Sequence, residues 1–164
     1  MKALNILVII PGFGKSTPGI DRQSLRLIRE VGPRIKVKDG TALAMAEFHG
    51  DHLKKKELDA LLAWADVIFA FVVPAETIAR APRLKWIQVI SAGVDRWIET
   101  DVWHSRVILT GVSGIHATPI GEFVMGLMLM FAKNTPLGFK RMRTRHWQRY
   151  PVDVLRGKTA GIVG

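Results

Sequence analysis

The chain has 164 residues and no cysteine, which excludes a disulfide framework and thiolate chemistry. Its 48% hydrophobic content excludes a disordered chain, and its length suits one domain, or a small domain with a piece of another. The formal charge is +10, and much of the excess lies between Glu122 and Asp153, where Lys133, Lys140, Arg141, Arg143, Arg145 and Arg149 stand without an acid.

Met1 to Gly12 reads MKALNILVIIPG, with one lysine and a short apolar run but no small-residue cleavage site. It is expected to be a buried first strand (6–10) rather than a signal peptide, in a cytoplasmic protein. Residues 23–31 predict a helix with Leu25, Leu27 and Ile28 turned inward, stopped by Gly32 and Pro33. A second strand is expected at 35–37, residues 41–52 are ambiguous, and 54–64 repeat Leu58, Leu61 and Leu62 at helical spacing. A strongly apolar third strand runs over 66–73 and a short helix over 75–81. Two further strands follow at 85–90 and 106–110. This alternation predicts an α/β fold, a doubly wound parallel sheet whose ligand loops share the carboxyl edge: residues 11–17, 72–76 and 91–95.

The stretch 118–134 predicts a buried helix. Thr118 is placed to cap it, Pro119 suits its first turn, Glu122 and Lys133 oppose the helix dipole, and 123–132 is apolar except at Gly126. A second helix is expected over 136–147, and a new apolar strand over 159–164.

Several features are decoys. Residues 11–17 imitate a phosphate-binding loop, but Ile9 stands where that loop requires glycine. His49 and His52, with Glu47 and Asp51, lack a second cluster to complete a metal site, so no metal is expected. His104 and His116 have no carboxylate partner in the sequence pattern. Trp64, Trp86, Trp97, Trp103 and Trp147 are expected to be packing anchors. The basic segment is expected to be a solvated helix face; the alternative is a non-catalytic module whose basic helix contacts nucleic acid.

Three motifs in order resemble the D-isomer-specific 2-hydroxyacid dehydrogenases, of the glyoxylate and hydroxypyruvate reductase kind. They are Leu84-Lys85-Trp86-Ile87-Gln88 leading to Ser91-Ala92-Gly93-Val94-Asp95; Gly114-Ile115-His116-Ala117-Thr118-Pro119-Ile120-Gly121-Glu122 with its apolar continuation; and Leu155-Arg156-Gly157-Lys158-Thr159-Ala160-Gly161-Ile162-Val163-Gly164. Gly121 stands where relatives usually have Ala.

The resemblance implies a flavodoxin-like substrate domain over 1–114 and the start of a Rossmann NAD-binding domain over 115–164. It implies substrate contacts at Phe71, Val72, Val73, Ala92, Gly93 and Val94, with the backbone of the last three holding a carboxylate. Cofactor contacts are implied at Phe123, Val124 and Gly164, with NAD or NADP as the cofactor. The family's catalytic Arg, Glu and His lie beyond Gly164, so none is expected here. The helix 118–133 is expected in a homodimer interface, with a small 2-keto or 2-hydroxy acid as substrate and neither nucleic acid nor membrane as partner.

Overall fold

The computed structural model describes residues 3–12 and 19–163. It divides into two compact units, Met1–Ser113 and Gly114–Gly164. The first contains β1 (Leu4–Ile9), α1 (Arg22–Glu30), β2 (Ile35–Asp39), α2 (Thr41–Phe48), α3 (Lys55–Trp64), β3 (Val67–Ala70), α4 (Thr77–Arg80), β4 (Trp86–Val89) and β5 (Ile108–Thr110). The strands form one sheet in the order β2-β1-β3-β4-β5, every neighbouring pair parallel. That is the flavodoxin-like order, in which the chain switches direction between β1 and β3.

The unbroken apolar run of β1 follows from cover on both faces. Leu7 and Ile9 join a core with Ile68, Ile87, Leu58 and Leu62, whereas Val8 packs on the opposite face with Leu25, Val37, Ile28 and Phe69. On α1, Leu25 and Ile28 share the inward face, but Leu27 is exposed. A residue two positions from Leu25 lies on the far side of a helix of 3.6 residues per turn. Asp21 caps α1, its carboxylate accepting the Ser24 N–H at 2.6 Å.

The ambiguous stretch 41–52 is mostly helix. Gly50 takes a left-handed φ of 86°, and its N–H and that of Asp51 return to the carbonyls of Glu47 and Ala46. This closing motif ends α2 and needs a residue free of Cβ crowding.

Asp66 ties β1 to the segment before β4. It is buried, accepts the Asn5 N–H at 3.0 Å, and meets the Arg83 guanidinium at 3.0 Å. Burial pushes its carboxyl pKa up, but the Asn5 and Arg83 hydrogen bonds outweigh that and hold it below the ordinary value. With the folded value depressed, its contribution is complete above the ordinary aspartate range and is lost as pH falls through the lowered value. Asp66→Ala would leave the Asn5 N–H unpaired and is expected to cost about 2–3 kcal/mol at neutral pH. Denaturant titration checks this, and an unchanged midpoint would contradict it.

The second unit contains α5 (Ala117–Ala132) and α6 (Thr135–Arg143). Several expectations fail here, first among them that α5 is buried: none of its residues is. Thr118 is not the cap: the helix starts one residue earlier, after His116, and no side chain caps it. Pro119 then sits third, still among the positions whose N–H has no helical partner. Glu122 accordingly falls outside the first turn.

The next helix stops at Arg143 rather than Trp147. Arg145 is left-handed (φ 50°), and its N–H and that of His146 return to Met142 and Arg141. This is the closure seen at Gly50, here on an arginine. Finally, residues 159–163 form no strand. The second unit has none among its described residues to offer a ladder, and Ile162 and Val163 are exposed.

Among the tryptophans only Trp97 is fully buried, at 2% exposure, while Trp147 is 90% exposed. Trp64 is half-buried, and Trp86 and Trp103 are partly exposed.

Candidate functional site

Because every strand is parallel, the ends of β1, β3, β4 and β5 meet at one edge, and backbone hydrogen bonds continue past the strands there. Phe71 N–H donates to Ile9 at 3.0 Å, Ile90 N–H to Ala70 at 3.1 Å, and Val112 N–H to Ser91 at 3.1 Å. The loops carrying Phe71-Val72-Val73 and Ala92-Gly93-Val94 are therefore fixed beside one another. The loop 11–17 lies largely outside the described residues.

The turn after β4 is shaped by one short hydrogen bond and two glycines. Ser91 Oγ donates to the Gly93 carbonyl at 2.8 Å. Gly93 does not adopt a left-handed φ; what its missing side chain admits is the Asp95 carboxylate, since a Cβ there would lie 2.7 Å from Asp95 Oδ2. Across the turn, a Cβ on Gly111 would lie 2.8 Å from the Ser91 carbonyl. Gly111 thus lets the exit of β5 press against residues 91 and 92. It went unnoticed in the sequence, although a glycine directly after a strand is a signal of close backbone approach.

A 3-10 turn, Asp95–Trp97, follows at once. It buries Trp97 in the core and lays the Arg96 guanidinium 4.5 Å from the centre of the Phe71 ring. This cation–ring contact joins the two candidate loops, and Arg96 was another residue the sequence reading passed over. Val72 and Val73 line a cleft of about 140 Å³ with Phe48, Arg96, Trp97 and Thr100. They also border a larger one, about 400 Å³, with Glu47, His52, Lys55, Glu76 and Arg80.

Two groups at this edge are held at a cost. Glu76 sits in the left-handed region (φ 55°) without being glycine, which costs on the order of 1 kcal/mol or more. The buried Trp97 Nε1–H has no acceptor among the described residues. The loop is nevertheless pinned: Thr77 Oγ1 donates to the Pro74 carbonyl at 2.6 Å, and Asp101 accepts the Ile78 N–H at 2.8 Å.

The other sequence candidates lie elsewhere. Phe123 and Val124 are exposed on α5 in the second unit, and Gly164 lies outside the described residues. His104 and His116 are exposed. Among the described residues no group of three or more His, Asp or Glu could hold a metal, and no helix is long and apolar enough to cross a membrane.

No family model matches the chain. D-3-phosphoglycerate dehydrogenase of Methanocaldococcus jannaschii is 26% identical over 153 residues, which is 90% of this chain and 27% of that protein. Hydroxypyruvate reductase of Thermotoga maritima is 27% identical over 136 residues, 77% of this chain and 44% of the relative. In structure, a D-isomer-specific 2-hydroxyacid dehydrogenase family protein from Aeromonas salmonicida superposes with a TM-score of 0.68 at 21% identity, over 96% of this chain and 44% of its own. D-lactate dehydrogenase from Aquifex aeolicus, solved with NAD and lactic acid, gives 0.56 at 16% identity, over 90% and 39%. The chain thus spans less than half the length of each. In sequence this chain is similar to D-3-phosphoglycerate dehydrogenase and hydroxypyruvate reductase, and in fold to a D-isomer-specific 2-hydroxyacid dehydrogenase family protein.

Proposed function

We infer that the chain is the substrate-receiving part of an NAD- or NADP-dependent oxidoreductase that moves hydride between nicotinamide and a 2-keto or 2-hydroxy acid, such as glyoxylate or hydroxypyruvate. The observation that carries this reading is the turn after β4. There the loop of Ala92, Gly93 and Val94 runs beside the loop of Val72 and Val73, and the two valines share a cleft with the Arg96 cation. Successive backbone N–H groups of Ala92, Gly93 and Val94 suit a carboxylate, and the two valines offer an apolar wall for the carbon skeleton.

The dinucleotide is a different matter. In the second unit the described residues include no glycine turn between a strand and a helix, so they do not by themselves cradle a pyrophosphate. Phe123 and Val124 would border the cofactor only in the whole protein. The general acid and the carboxylate-binding arginine are likewise assigned to residues outside this chain. Residues 118–133 are assigned to a homodimer interface.

The test is an amide chemical-shift titration of the chain with glyoxylate. Ala92, Gly93 and Val94 are expected to shift together, and Gly93→Val to weaken binding about tenfold, the loss of one or two charge-assisted hydrogen bonds. NADH added with glyoxylate should not be consumed. Glyoxylate that perturbs none of these three amides would defeat the carboxylate reading, and NADH consumption would defeat the placement of the catalytic groups.

A further inference from the structure

The site as assigned accounts for one negative charge on the substrate, yet the edge carries a second, unused recognition element. Arg96 forms no ion pair and no hydrogen bond among the described residues; its contact is the ring of Phe71. A guanidinium beside a ring spends none of its N–H groups on a conventional hydrogen bond, and so keeps a planar fork of donors uncommitted. The ring also limits the freedom of a long side chain, so less entropy is lost when that fork engages an anion.

Position matters as much as charge. Arg96 follows Val94 by two residues, at most about 7 Å of backbone. It lines the same cleft as Val72 and Val73. A molecule whose carboxylate rests on the backbone of residues 92–94 would therefore extend along the two valines toward the guanidinium. Lysines and arginines scattered over a surface do not meet this description; Arg96 is held by one candidate loop against the other.

Resting on the carboxylate reading above, we propose that Arg96 is a specificity-determining residue. It favours 2-keto and 2-hydroxy acids that carry a second anionic group, carboxylate or phosphate, at the end remote from the reacting carbon. The shared chemistry is a planar or tetrahedral oxyanion accepting two parallel N–H bonds. Pyruvate and glyoxylate, with one charge, would leave Arg96 unengaged.

The chain is titrated with pyruvate, 2-oxoglutarate and 3-phosphoglycerate while the amides of residues 92–97 are followed, in wild type, Arg96→Gln and Arg96→Lys. Both acids with a second anionic group are expected to bind about fivefold more tightly than pyruvate, the size of an exposed charge pair. Arg96→Gln should remove that advantage and leave pyruvate unchanged. Arg96→Lys should retain part of it, since the charge remains and the fork is lost. Arg96 is exposed, so the amide spectrum of each variant should otherwise match wild type. Acids with a second anionic group that bind no better than pyruvate, or an advantage that survives Arg96→Gln, would overturn the proposal while leaving the carboxylate site intact. If no acid moves residues 92–94, the carboxylate site fails and the proposal falls with it. A preference for phosphate over carboxylate, or the reverse, among such acids that do depend on Arg96 would name the class while supporting the assignment.

Discussion

Arg80→Ala is expected to destabilise the first unit by about 3–5 kcal/mol, a large share of the 5–15 kcal/mol that holds a small domain together. The Arg80 side chain is only 10% exposed. Its Nη1 and Nη2 meet both oxygens of Glu47 at 2.7 and 2.8 Å, its Nε meets Asp59 at 2.6 Å, and its Nη1 also donates to the Ala75 carbonyl at 3.0 Å. One guanidinium thus locks α2, α3, α4 and the loop after β3. Removing it strands the Glu47 carboxylate, whose side chain is 12% exposed, without its partner.

The same geometry sets an acid limit. The Arg80 hydrogen bond holds the Glu47 carboxyl below its ordinary pKa, against the upward push of burial. The pair therefore contributes fully above the ordinary glutamate range of about 4.3 and loses its contribution as pH falls through the lowered value. Denaturant midpoints from neutral pH downward should show the wild type losing stability over that window and Arg80→Ala losing less. The double variant Arg80→Met, Glu47→Leu should recover much of the loss, because it strands no buried charge; Asp59, the other partner, has a side chain 41% exposed to water. A single variant within 1 kcal/mol of wild type would contradict the account.

The second large effect concerns α5. None of its residues is buried, although Phe123 is 67% and Phe131 81% exposed and Met125, Leu129 and Met130 also face outward. A few hundred Å² of such surface is worth several kcal/mol at about 25 cal/mol per Å². The chain is expected to self-associate through residues 118–133 at micromolar concentration, and Met128→Glu with Phe131→Glu to abolish the association. Sedimentation velocity distinguishes the two. A wild-type chain that sediments as a monomer would contradict the interface assignment.

How much of this was legible in the sequence follows from which interactions are local. Period and composition suffice for β1, α3 and β3, because burial on both faces of a sheet, or along one face of a helix, writes itself into consecutive residues. For α5 they gave the helix but not its surroundings, since its apolar residues are not buried. Cα-level details at helix ends were not legible. Arg145 and Asn134 take left-handed conformations that composition does not announce, whereas Gly50 announced its own and was overlooked. The strand expected over 159–164 fails for a non-local reason, since a strand is defined by a partner. The two valines and the Ala92-Gly93-Val94 turn could be placed at one edge from topology. Arg96 could not be joined to Phe71 without coordinates, because the contact depends on the 3-10 turn that brings the arginine to the residue just after β3.

The most direct test of the central claim is a crystal structure of the chain with oxamate, a 2-keto acid mimic that cannot be reduced. The account predicts its carboxylate against the backbone N–H groups of Ala92, Gly93 and Val94, with the rest of the molecule along Val72 and Val73. Oxamate bound at any other place, with that turn unliganded, would contradict it.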